Sequence, residues 1–153
     1  MKKLLGIIVL GLLLSGNANA TLKGIFEVEL IIETITDVAE SCSITKQKIE
    51  TTTKYILQSS KIRIVKSDLP IPILYISVAV GNNKGTCYTN TVVEVFTFSS
   101  QDPLKNGNTG IFRYYDKATI AAGGEDSNIG DFVISQLERI LKDLVVTQHE
   151  DNQ

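Results

Sequence analysis

The chain has no tryptophan, one methionine, one histidine and two cysteines among its 153 residues. Each shortage excludes a chemistry. His149 lies in a polar stretch, 147–153, that is expected to fray. A Ser-His or Cys-His pair needs a base held within hydrogen-bond reach of the nucleophile, and a tail residue does not supply one. One histidine and two cysteines are too few for a zinc site of the usual kinds. The glycines of Gly107-Asn108-Thr109-Gly110 and Gly123-Gly124 lack the spacing of a phosphate-binding or dinucleotide-binding loop. Two acidic pairs, Asp37 with Glu40 and Glu125 with Asp126, form no acid/base motif and read as solubility and capping features. The expectation is therefore no catalytic residue, no metal ligand and no cofactor: a protein that is not an enzyme.

Long hydrophobic runs are missing as well. The longest, Leu4 to Leu14, spans 11 residues and is broken by Gly6 and Gly11. A membrane-crossing helix needs about 20 apolar residues. Lys2 and Lys3 precede this run and the small, polar Ser15 to Ala20 follow it, which is the order of a secretory signal peptide. Ala18-Asn19-Ala20 offers small residues for cleavage before Thr21. Leu14-Ser15-Gly16 would lead into the acylated cysteine of a lipoprotein, but the next residue is Asn17, which has no sulfur to carry lipid. The sequence thus divides into a signal peptide at 1–20, one domain at 21–147 and a polar tail at 148–153. The mature chain is expected in the periplasm or secreted, with neither lipid nor transmembrane anchor.

In that compartment two cysteines imply one disulfide, Cys42 to Cys87. They are 45 positions apart, and closing such a loop contributes about 4 kcal/mol in the chain-entropy treatment.

There is no excess of positive charge. After position 20 the chain carries 13 basic and 17 acidic residues, a net charge of −4, which argues against nucleic acid as a partner. The charge is uneven: Thr45 to Lys66 is net +5, while Thr21 to Ile44 is −4 and Asp116 to Gln153 is −5. A basic first helix would complement an acidic last helix beside it, or would meet anionic headgroups or an acidic partner.

What the chain does have is clear periodicity. Phe26, Val28, Leu30 and Ile32 alternate with Glu27 and Glu29, the pattern of a strand with one buried face. Glu33 to Ser43 reads as a connection. Thr45 is an N-cap for a helix from Lys46 to about Ser59, although Thr51-Thr52-Thr53 is a poor helical triplet. Lys61 to Lys66 reads as a short strand and Ile73 to Val80 as a central one. Gly81 to Gly85 is a hairpin loop, Thr86 to Phe98 a long strand, Gln101 to Gly110 a loop, and Ile111 to Ala122 the last strand. From Ile129 to Val145 apolar residues recur at i, i+3, i+4 and i+7, a one-sided helical stripe. Ser127 or Asn128 caps it, and Glu138 and Lys142 form an i,i+4 pair.

The order β-α-β-β-β-β-α implies a two-layer α+β sandwich. A mostly antiparallel sheet of four or five strands would carry both helices on one face, with a right-handed parallel crossover at the first β-α-β. The other face would be solvated or a platform for a partner. Tyr114-Tyr115 beside Arg113 offers stacking groups, but adjacent strand residues face opposite ways, so packing is the better reading.

Two stretches carry a resemblance: Ile44-Thr45-Lys46 through Ser60-Lys61-Ile62-Arg63-Ile64, a capped helix running into a short strand, and Leu74-Tyr75-Ile76-Ser77-Val78. Behind a signal peptide, this layout resembles small bacterial envelope proteins, the lipopolysaccharide-assembly lipoprotein LptE and the N-terminal domain of TolB. The missing lipobox cysteine departs from the lipoprotein members, and no functional residue carries over.

The resemblance by itself does not establish function. The lack of a catalytic constellation, the single small fold and its two unassigned surfaces point to an exported, non-catalytic accessory or binding protein of the cell envelope. Its partner would be another envelope protein, met through the free sheet face, a sheet edge or the first helix. Edge pairing into a homo-oligomer is a further option. The alternative is a small-ligand-binding protein or enzyme with a pocket under the 101–110 loop.

Overall fold

The computed structural model describes residues 21–33, 35–68, 71–99, 110–124 and 128–153. Five strands form one sheet: β1 (Glu27–Ile32), β2 (Arg63–Ile64), β3 (Ile73–Asn83), β4 (Thr86–Ser99) and β5 (Gly110–Gly123), in the spatial order β2-β1-β3-β4-β5. β1 pairs in parallel with both β2 and β3, and β3-β4-β5 is an antiparallel meander. Three helices complete the fold: α1 (Asp37–Ser41), α2 (Lys46–Gln58) and α3 (Ile129–Asp151). The expected α+β sandwich is the observed one.

Alternation decides which face is buried. Val28, Ile32, Leu74, Ile76, Val78, Val93 and Val95 point to one side and are buried there. α2 packs on β1 and β2, α3 packs on β4 and β5, and the two helices pack on each other. The α3 stripe of Val133, Leu137, Ile140, Leu141 and Leu144 is buried as its spacing requires. The Thr45 hydroxyl accepts from the Lys48 amide and starts α2. Thr53 is tolerated in mid-helix because its hydroxyl donates to the Ile49 carbonyl one turn back, so no polar atom is stranded. The complementary charges of the two helices meet in one ion pair, Lys48 Nζ to Asp131 Oδ1 at 3.6 Å. Glu138 and Lys142 pair as their spacing implies. Asn128 caps α3, its side chain accepting from the Asp131 amide; Ser127 lies outside the described residues.

Four segments differ from the sequence reading. The connection after β1 contains α1, capped at its start by Thr36. It ends at Cys42 and Ser43, where the Ser43 amide donates to the Glu40 carbonyl and the Ile44 amide to the Ala39 carbonyl. That pairing is a Schellman termination, which needs a left-handed residue after the cap; Ser43 occupies it at φ 62°. β2 shrinks to two residues: the Arg63 amide donates to the Phe26 carbonyl just before β1, the Val65 amide to the Val28 carbonyl, and Ser60 Oγ takes the Ile62 amide. β3 continues to Asn83, so its hairpin closes on only Lys84 and Gly85, both at positive φ (51° and 79°), as a two-residue turn matched to strand twist requires.

The fourth difference is at the C-terminus. The helix does not fray at Thr147 but runs to Asp151, because polar groups fasten its last turns to the lead-in of β1. Asp151 Oδ2 accepts from the Leu22 amide at 2.6 Å, Asn152 Oδ1 accepts from the Gly24 amide at 2.8 Å, and buried Gln148 donates to the Ile25 carbonyl at 3.1 Å.

A bulge fixes the tyrosine pair. Val95 faces Tyr115 but Phe96 faces Arg113, so Tyr114 is the extra residue. Tyr115 enters the core, and its hydroxyl donates between the Ile140 carbonyl and Asp143 Oδ2, both at 2.9 Å. Burial first, then the neighbouring Asp143 carboxylate, push this phenol well above its ordinary value. A phenol raised in the folded state stabilises the fold below the unfolded-state value and loses that contribution as pH climbs past it. Tyr115→Phe is therefore expected to cost about 1–2 kcal/mol in urea unfolding at neutral pH. The wild type should lose stability between about pH 9 and pH 11 more steeply than the variant.

Candidate functional site

Among the described residues the helices cover one side of the sheet and leave the other open. Register assigns the open side in rows across the strands. One row is Glu29, Ile73, Phe96 and Arg113; the next is Ile31, Tyr75, Glu94 and Asp116. Phe98 stands opposite Ile111 at the end of the hairpin. Phe98 is 59% exposed and Ile111 57%. Tyr75, Phe96 and Phe98 form a ladder of edge-to-face rings with centroids 6.3 and 5.4 Å apart, a favoured geometry for aromatic pairs. The ladder is rigid at its base because it crosses two adjacent strands.

Acids surround it. Glu27, Glu29, Glu33, Glu94 and Asp116 belong to this face or its rim, against Arg63 and Arg113. Each arginine is committed to one carboxylate, Arg63 to Glu27 at 2.6 Å and Arg113 Nε to Glu94 at 2.7 Å. The Ser77 hydroxyl donates to Glu33, clamping β3 to the end of β1. Desolvation, and then the Glu33 carboxylate, raise the Tyr75 phenol. The face is thus apolar at its centre and net negative at its border. Such a surface suits a partner presenting apolar side chains with cations around them, and it would repel an anionic lipid surface.

The residues singled out in the sequence fall elsewhere or form structure. Cys42 and Cys87 are bonded, with Cα atoms 6.2 Å apart, and both are buried on the helix side. His149 is exposed on the last turn of α3. Asp37 lies in the first turn of α1, where a carboxylate suits the helix dipole, and Glu40 follows on the same turn. Glu125, Asp126, Gly107, Asn108, Thr109 and the loop at 101–109 lie outside the described residues, and with them the expected pocket. Among the described residues no three His, Cys, Asp or Glu side chains gather as a metal site would need, and no helix is long and apolar enough to cross a membrane.

Among the described residues a groove of about 610 Å³ runs along the outer side of β2. It is lined by Leu57, Ile62 and Ile64 with Lys54, Arg63 and Lys66. It is the surface expression of the basic block at 45–66. Two of its cations are already neutralised, Lys54 by Glu50 and Arg63 by Glu27.

The aromatic ladder escaped the sequence reading although its signal was present. Tyr88, Val92, Phe96 and Phe98 share one parity on the long strand, but the opposite parity, Thr89, Thr91, Val93 and Val95, is the one that is buried. Only the register with β3 shows Tyr75 joining the ladder.

No family model matches the chain, and no curated protein matches it. Among solved structures it is similar to a minor lipoprotein from Acinetobacter baumannii at 15% identity and a TM-score of 0.35, over 84% of this chain and 92% of that chain. At that level the likeness assigns neither a family nor a function.

Proposed function

We infer that the protein is an exported, non-catalytic accessory or binding protein of the bacterial cell envelope, and that it docks another envelope protein on the open face of its sheet. The single observation that carries the docking is the exposed Phe98–Ile111 pair at the head of the Tyr75–Phe96–Phe98 ladder. Export is supported by the leader-like first 20 residues and by the disulfide, which belongs to an oxidising compartment. The element order that resembles small envelope proteins points the same way.

The face chooses its partner by charge. Exposed aromatics supply the apolar anchors typical of an interface centre, and the carboxylate border favours a cationic rim opposite. A photo-crosslinking residue placed at Phe98 should capture one envelope protein in living cells. The same residue placed at Tyr55, exposed on α2 on the far side of the molecule, should not. Phe98→Lys should weaken the captured complex by roughly tenfold or more, and added salt should slow its formation. Equal capture from both positions, or none from Phe98, would sink the reading.

A further inference from the structure

β5 is a sheet edge of 14 residues, long for a strand with a free side. Exposed edges are normally blunted by charge, proline or a bulge. The first half of β5 is protected in this way, by the bulge at Tyr114 and by Arg113, Asp116 and Lys117. The second half, Ala118-Thr119-Ile120-Ala121-Ala122-Gly123, has no charge, no proline and no bulge. Ile120, at its centre, is 84% exposed, more than any other large apolar side chain among the described residues. Beside this half, toward the helix layer, runs a groove of about 390 Å³ floored by Ile129 and Phe132 of α3. An added strand would find its backbone partners on β5 and an apolar wall on α3.

We propose that this edge pairs with the same edge of a second copy of the chain, antiparallel about a two-fold axis at Ile120. The pattern of residues favours a second copy as the occupant and a register centred in the charge-free half, with its one large apolar residue on the axis. An axis at Asp116 would set two carboxylates face to face, and an axis at Lys117 two ammonium groups; like charges directly opposed across strands are destabilising. An axis at Ile120 opposes Ile120 to Ile120 of the second copy, Ala118 to Ala122 of the second copy and Thr119 to Ala121 of the second copy. It sets Lys117 against Gly123 and Asp116 against Gly124 of the second copy, so no like charges meet. Small residues on either side of one large apolar residue make the segment complementary to itself, as an isologous interface requires. The product is a continuous ten-stranded sheet with the two open faces side by side. This pairing does not depend on what docks on the open face.

Sedimentation equilibrium of the oxidised mature chain over a rising concentration series tests the proposal. The mass should approach twice that of the monomer. Ile120→Lys should hold the chain monomeric, with a dissociation constant raised roughly 100-fold, while Phe98→Lys on the open face leaves the dimer intact. Because Ile120 packs against little, Ile120→Lys should keep the wild-type far-ultraviolet circular dichroism. Should it fail to fold, cysteine pairing decides independently. Ile120→Cys should give a disulfide-linked dimer on a non-reducing gel. Ala118→Cys should not link to itself but should link to Ala122→Cys in a mixture.

A wild type that stays monomeric throughout overturns the proposal. So does a dimer that survives Ile120→Lys or is dissolved by Phe98→Lys, and so does self-linking by Ala118→Cys in place of Ile120→Cys.

Discussion

Replacing both cysteines with alanine, Cys42→Ala with Cys87→Ala, is expected to lower the unfolding free energy by about 4 kcal/mol, the loop-closure entropy of a 45-residue separation. For a domain of this size that loss corresponds to a fall in Tm of roughly 12–20 °C. Alanine is the right replacement because both side chains are buried on the helix side, and serine would add an unpaired hydroxyl. The bond joins the Schellman end of α1 to the first residues of β4, so it ties the irregular connection after β1 to the most extensively paired strand of the sheet. Thermal unfolding of the oxidised wild type, the reduced wild type and the double variant measures the effect. Reduced wild type and variant should melt together, well below the oxidised protein. A difference of only a few degrees would mean that the reduced, unfolded chain is already restricted or that the reduced fold tightens in compensation.

Gly130→Ala should be nearly as damaging, against helix propensity. In an exposed helix interior alanine is more stable than glycine by about 0.5–1 kcal/mol. Gly130, in the first turn of α3, is buried, and a Cβ there would lie 2.6 Å from the Ser43 carbonyl oxygen and 2.9 Å from its carbon. Both are backbone atoms. Ser43 is fixed by the hydrogen bonds that close α1, by its left-handed backbone and by its neighbour Cys42, so it has little freedom to retreat. The helix must then shift from the residue that makes it fit, and overpacking of this kind costs about 3 kcal/mol. Chemical denaturation of Gly130→Ala should show a lower midpoint with unchanged slope. A variant as stable as the wild type, or more so, would show that the first turn of α3 can move away from Ser43 at no cost.

Elements with a strong period and a chemical start were legible in the sequence. α3 announces itself by four turns of apolar stripe, and α2 by the Thr45 cap. β1 shows itself by the alternation of Phe26, Val28 and Leu30 with Glu27 and Glu29, and the layout of layers follows from those three. α1 was hidden because five residues are too few to display a period; its trace is Thr36 followed by Asp37, a cap and a first-turn acid. The end of α3 was misread because Gln148, Asp151 and Asn152 are polar, and nothing local shows that backbone amides at residues 22–25 will satisfy them. The role of Gly130 was invisible for the same reason, since its neighbour is 87 positions away. On β4 both parities mix threonine or asparagine with apolar residues, so the open face and its aromatic ladder became readable only once the β3 and β5 registers were known. Long-range partners, more than composition, separate what could be read from what could not.

The fastening of residues 22–25 by Gln148, Asp151 and Asn152 has a consequence for the order of events during biogenesis. A chain emerging N-terminus first presents the lead-in to β1 at the outset, yet the groups that hold it come about 125 residues later. Until α3 has emerged, the Leu22 and Gly24 amides and the Ile25 carbonyl lack the side chains that hold them in the finished fold, and only the local turn bond from the Ile25 amide to the Leu22 carbonyl is within reach. Completion of α3 then withdraws the lead-in into the fold. The last helix acts as a latch on the first strand, so the lead-in to β1 is secured only when the far end of the chain has folded.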